Sequence, residues 1–246
     1  MSVLRKLNGV TGSMPRIVSR EEWNASREAI LLKEKAATRA RDALAAERRR
    51  LPMWKVEKEY LLQGPLGTTD FVELFEGRSQ LIVYQFMFGV EWDEGCVGCS
   101  MMVDNMGNPA HLHARDVSFA LVSRAPYSKI DGFKKRMGWT LPWYSADGCD
   151  YMDDFEERSS HSGTDGEFFG LSVFLKEGAD VYQTYYTGHR GMEQLGSNFS
   201  YLDLVPYGRQ EKWEDSPAGW PETEPYQWWR YHDKYSEEKK ECGCIG

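Results

Sequence analysis

The sequence has little cysteine: five residues in 246. Four of them stand in two close pairs, Cys96 with Cys99 and Cys242 with Cys244, and Cys149 is left over. An odd count in this arrangement excludes the disulfide framework of a small secreted protein. A reducing, cytoplasmic setting is expected, with any disulfide transient. Long apolar runs are also missing. None reaches the roughly 18 residues that a membrane-spanning helix requires, so no membrane partner is expected. Positive charge is short as well. Thirty Lys and Arg against 38 Asp and Glu leave a net charge of -8, which argues against a nucleic-acid partner, whose phosphates need a concentrated basic surface. Residues 1–18 lack the apolar centre and small-residue cleavage site of a secretory signal and read as a disordered start. No internal repeat is visible.

What the chain does have is a regular alternation of patterns. Ser19 with Glu22 fits a capping box at the head of a helix over 19–52, rich in Ala, Glu, Lys, Arg and Leu and stopped by Pro52. Its apolar positions are sparse, so it is expected to pack on another domain or on a neighbouring subunit of a homo-oligomer. From residue 53 to 205 the pattern changes. "WKVEKEYLLQGPLG" alternates and turns at Gly64-Pro65, and "LIVYQFMF" is apolar enough for a strand buried on both faces. "SMMVDNMGN" suits a helix, and "VSFALVSR" is a second buried strand. Ile130, Phe133 and Met137 then mark an amphipathic helix behind Pro126. "WTLPWYS" is a third strand, "FFGLSVFLKEGADVYQTYYT" a hairpin turning at Glu177-Gly178, and "GMEQLGSNFSYLDLV" a closing helix. Residues 206–246, rich in Pro, Trp and charge, read as a wrapping tail. Strands alternating with helices and ending in a hairpin predict an α/β sandwich with a mixed central sheet.

Three blocks carry a resemblance: "FEGRSQLIVYQFMFGVEWDEGCVGCSMMVDN", "HLHARDVSFALVSRAP" and "KRMGWTLPWYSADGCDYMDDF". Together they resemble a thioredoxin-like family catalogued as domain of unknown function number 899. It is often labelled a dithiol-disulfide oxidoreductase and is related to the peroxiredoxin branch of the thioredoxin fold. The resemblance runs from Ser19 to "YLDLVPYGRQE". It implies a thioredoxin-like fold, a thiol or disulfide substrate, and Cys96 and Cys99 as the catalytic pair at the start of the helix after "LIVYQFMF".

In that position helix N–H groups and dipole would favour a thiolate on Cys96, and Cys99 would resolve a mixed disulfide. A loop this short removes little chain entropy, so a structural staple explains the pair poorly. Three features depart from the pattern. Glu91, Asp93 and Glu94 precede Cys96 and are expected to raise its pKa. Phe169-Gly170 stand where a thioredoxin has a cis-proline, and Asp93 stands where a peroxiredoxin has threonine or serine. Other readings compete. Cys96 and Cys99 with His111 and His113 form a soft donor set for zinc or copper, although the two histidines also read as a polar loop before residue 117. A small-molecule enzyme without redox chemistry, or a binding module with an inert pair, fits the same scaffold. Trp92, Trp139, Trp143 and Gly170 are candidates for the wall of a pocket beside the dithiol. Cys242 and Cys244 are candidate resolving thiols on the tail. Cys149, among Asp147, Asp150, Asp153 and Asp154, reads as a loop cysteine in a solvated acidic segment.

Overall fold

The computed structural model describes residues 14–155 and 167–235. The start expected to be disordered lies largely outside them, and so do Cys242 and Cys244. The chain divides into two compact units, one running up to Pro52 and including Leu202–Gln227, the other Met53–Tyr201 with the chain from Trp228 on.

The first unit holds helix α1, Arg20–Arg48. Ser19 caps it, its hydroxyl accepting from the Glu22 amide at 3.2 Å, as the Ser19/Glu22 spacing predicts. The helix buries none of its residues, and Trp23, Ile30, Leu32 and Leu44 stay exposed. In Leu202–Gln227 the buried Arg209 forks onto Asp203, with Nε donating to Oδ1 at 2.7 Å and Nη2 to Oδ2 at 2.9 Å.

The second unit is built on one sheet. In chain order its elements are β1 Trp54–Val56, β2 Leu61–Gly64, β3 Gly67–Asp70, β4 Gln80–Gln85, α2 Val97–Asp104, α3 Ala110–His113, β5 Val117–Ser123, α4 Tyr127–Arg136, β6 Trp143–Ser145, α5 Tyr151–Asp154, β7 Gly170–Glu177, β8 Asp180–Gly188 and α6 Ser197–Leu202. The sheet order is β1-β8-β7-β4-β5-β6-β2-β3. Parallel pairing joins β4 to β5 and β5 to β6, while β4 meets β7, and β7 meets β8, antiparallel. The sheet is therefore mixed, and β4 lies inside it.

Alternation along β4 sorts its side chains to two cores. Leu81 and Val83 join Phe71, Phe75, Tyr151 and Phe174 on one face. Tyr84 and the following Phe86 join Cys99, Ile130, Phe133, Trp143 and Leu171 on the other. The crossovers through α2 and α4 step the same way across the sheet, so one handedness sets both helices on that second face. The opposite face is closed by a 3-10 turn, Phe71–Phe75, and by α5.

Three local expectations need correction. The closing helix is split: a 3-10 stretch, His189–Leu195, ends at extended Gly196, and α6 is a new start. His111 and His113 lie on the one-turn helix α3 rather than in a loop. The acids around Cys149 are not simply solvated. Lys58 Nζ donates to Asp150 at 2.6 Å and to Asp154 at 2.8 Å, and Arg124 pairs with Asp153 at 2.8 Å.

Candidate active site

Beyond β4 the chain stays extended through Phe86–Phe88, held by the end of β5 and the residues just after it. Phe86 N donates to Val122 O, Ala125 N to Phe88 O, and the Ser123 hydroxyl to Phe86 O. The segment 89–95 is then tied down by Lys129, whose Nζ donates to Val90 O at 2.9 Å and Trp92 O at 3.0 Å. Gly95 is required before the first cysteine. A Cβ there would stand 2.6 Å from the Phe86 ring and 3.1 Å from Phe133. Cys96 N donates back to Met87 O at 2.9 Å, which fixes where the next helix begins.

Cys96 is the N-cap of α2. Its sulfur accepts from the Cys99 amide at 3.5 Å, a sulfur in the place that a serine oxygen takes at other caps. Cys96 keeps partial exposure, whereas Cys99, one turn on, is sealed into the core at 2%. The Cys99 thiol donates to Cys96, and with the amides of Cys99 and Gly98 it overcomes burial to lower the Cys96 pKa to about 7. Burial pushes Cys99 well the other way. The rise in Cys96 expected from the acids does not occur. Glu94 is paired with Arg136, and Glu91 and Asp93 turn out to solvent, where water screens them.

Tyr84 is the residue that the sequence reading missed. It lies on β4, 3% exposed, with its phenol near the Cys99 thiol and no hydrogen-bond partner among the described residues. Burial first, and the neighbouring Cys99 second, hold it un-ionised. A polar tip within the apolar run "LIVYQF" was the available signal. Two more came from residues 228–235: Tyr231, whose hydroxyl donates to Gly95 O at 2.6 Å, and Trp229, packed against Gly98.

The other candidates separate. Trp143 is fully buried; its Nε1 donates to the Ser123 hydroxyl at 2.9 Å and its ring packs on Phe86 at 4.6 Å. Trp139 borders the same aromatic group and donates to Asp104 at 2.8 Å. Trp92 is half-buried beside Gly89. Gly170 opens β7 against the Tyr186 hydroxyl, where no side chain fits. Among the described residues no group of three or more His, Cys, Asp and Glu converges as a metal site. His111 and His113 are not gathered with the cysteines. The eight residues of α2 carry the chain about 12 Å along its axis before α3 begins, and positions two apart on a helix face different ways.

A family model described as "Bacterial protein of unknown function (DUF899)" matches residues 12–235. The chain belongs to that family. No curated protein matches the sequence. Among solved structures, a cysteine-to-serine mutant of Xylella fastidiosa PrxQ is 13% identical, with 59% of this chain and 89% of that chain covered at a TM-score of 0.37. A thiol:disulfide interchange protein DsbE of Chlorobium tepidum, titled as putative, is 12% identical, with 59% and 95% covered at 0.38. A Bacteroides thetaiotaomicron protein titled a putative protein disulfide isomerase is 14% identical, with 61% and 89% covered at 0.39. This DUF899 member has the thioredoxin-like α/β arrangement expected from its sequence blocks: a central strand, the Cys96 helix, a parallel neighbour and a closing hairpin. No helix among the described residues is long and apolar enough to cross a membrane.

Proposed function

We propose that this protein is a thiol-disulfide oxidoreductase with Cys96 as nucleophile and Cys99 as resolving thiol. The observation that supports it best is the pairing of a cap sulfur, part-exposed and acidified, with a buried thiol one turn behind it. Geometry and acidity together match the division of labour that disulfide exchange needs.

Cys96 thiolate attacks one sulfur of a substrate disulfide; the S–S bond breaks and the second sulfur leaves as a thiolate, taking a proton from water. Cys99 then loses its proton and attacks the Cys96 sulfur, which releases the first substrate thiolate. The balance is one substrate disulfide reduced to two thiols and one dithiol oxidised to the Cys96–Cys99 disulfide. A dithiol or low-molecular-weight thiol reductant regenerates the pair, in keeping with a cytoplasmic setting. Tyr84 would donate to the Cys99 thiolate as it forms, in a core shielded from solvent.

Zinc or copper would find two thiolates here and no third side chain of suitable type among the described residues, which favours disulfide exchange over the metal reading there. The test is turnover of a small disulfide under a thiol reductant. Cys96→Ser should abolish it, and Cys99→Ser should trap substrate as a mixed disulfide on Cys96, visible by mass. Full activity in Cys96→Ser, or capture on another cysteine, would overturn the assignment.

A further inference from the structure

Residues 228–235 run along α2, from its first turn to its last, and touch it at both ends. At the first turn Trp229 covers Gly98, between the two cysteines; a Cβ on Gly98 would stand 2.5 Å from the indole. The Tyr231 hydroxyl donates to Gly95 O, the carbonyl just before Cys96, at 2.6 Å. Its ring packs on Phe133 at 5.6 Å and under the Arg136 guanidinium at 4.9 Å. Arg136 reaches on to Asp233 at 2.9 Å. At the last turn His232 Nδ1 and Trp139 Nε1 share Asp104 Oδ1, each at 2.8 Å. Trp229 is braced from behind by Phe199 at 6.0 Å.

We infer that this segment is a strap that confines the dithiol to low-molecular-weight disulfides and keeps protein disulfides out. The inference rests on the oxidoreductase reading above and names its substrate class. The physical reason is steric. A disulfide between two chain segments brings backbone on both sides of the sulfur under attack. That backbone would have to lie over Gly95 and Gly98, where Tyr231 and Trp229 already sit. Strand β4 itself offers no open edge: it is paired on both sides over Gln80–Gln85, and among the described residues the sheet's edges are β1 and β3. Cys96 itself stays part-exposed, so a slender disulfide such as bis(2-hydroxyethyl) disulfide has a route to it.

Labelling tests the strap without relying on turnover. In reduced protein carrying Cys149→Ser, Cys242→Ser and Cys244→Ser, Cys96 is reacted with iodoacetamide and with a maleimide bearing a polyethylene glycol chain of about 5 kDa. Both rates are referred to those of a short cysteine peptide. The bulky reagent should be at least tenfold more handicapped than the small one. Trp229→Ala should remove that difference, as should Gly98→Ala, which displaces the indole without altering it; Tyr231→Phe should reduce it. With bis(2-hydroxyethyl) disulfide and insulin as paired substrates, wild type should consume the first and spare the second, and Trp229→Ala should gain insulin reduction. Equal handicap for the two reagents in wild type overturns the strap whatever the turnover. Insulin reduced as readily as the small disulfide by wild type overturns the substrate assignment. Size-selective labelling with neither disulfide consumed overturns the oxidoreductase reading instead, and the substrate class falls with it.

Discussion

The Tyr84 phenol faces the Cys99 thiol inside the core, and both are sealed from water. A thiolate forming on Cys99 therefore has this one side-chain donor from behind the helix. Tyr84→Phe removes the donor and keeps the packing. A hydrogen bond to a charged group is worth about 1.5–3 kcal/mol, so resolution of the mixed disulfide should slow roughly tenfold to a hundredfold. Alkylation of Cys96, which precedes that step, should stay within a few-fold. Rapid-quench trapping of the mixed disulfide separates the two. An unchanged resolution rate would remove Tyr84 from the mechanism.

Cys96 should show its acidity directly. With the thiol pKa lowered to about 7, the iodoacetamide rate should rise tenfold per pH unit below 7 and level off above about 8. Cys99→Ala removes the largest cause of the shift, and the midpoint should move up toward the ordinary value near 9. The sign carries into stability. An acid with a depressed folded-state pKa adds stability above its unfolded value and loses it as pH falls through the folded one. Reduced wild type should thus gain on Cys96→Ser between about pH 7 and 9. Above that window Cys99, shifted upward, works in the opposite sense. A wild-type midpoint at 9 would contradict the cap geometry.

Gly95→Ala should harm reactivity more than the fold. The new Cβ would press on Phe86 and Phe133. Overpacking of this size costs about 1–3 kcal/mol, and the segment relieves it by shifting the turn that carries Cys96. Denaturant unfolding and iodoacetamide kinetics on one preparation compare the effects. We expect a modest loss of stability with at least a tenfold loss of Cys96 labelling.

Trp143→Ala tests the core beneath the site. The indole is 1% exposed and is bonded to Ser123, whose hydroxyl holds Phe86 O. Truncation of a buried aromatic side chain costs about 3–5 kcal/mol. Chemical denaturation should show a loss in that range, and a loss under 1 kcal/mol would mean that the cavity closes.

The parts of this protein that were legible in its sequence are those whose signals are local. "LIVYQFMF" reads as a strand because its apolar run is contiguous, and Ile130, Phe133 and Met137 read as one helix face because their spacing is periodic. Cys96 falls at a helix start because a buried strand ends a few residues before it. What sequence distance hid was equally specific. Tyr231 is 136 residues from Gly95 along the chain, and nothing periodic in "QWWRYHD" links them. Glu94 looked hostile to a thiolate because it is two residues from Cys96, yet its carboxylate is taken up by Arg136 on another helix. Sequence periodicity overextends the closing helix because its apolar positions continue across Gly196, where the backbone turns extended.

Arg136 grips Glu94 on one side and Asp233 on the other. The same guanidinium therefore quiets an anion beside the reactive sulfur and latches the segment that guards it. On the proposed reading, replacing it to widen the mouth would also leave Glu94 without its Arg136 partner two residues from Cys96, where a bare carboxylate lowers the thiolate fraction. Breadth of substrate and speed of attack, on that reading, meet at this single residue, and neither can be redesigned there without disturbing the other.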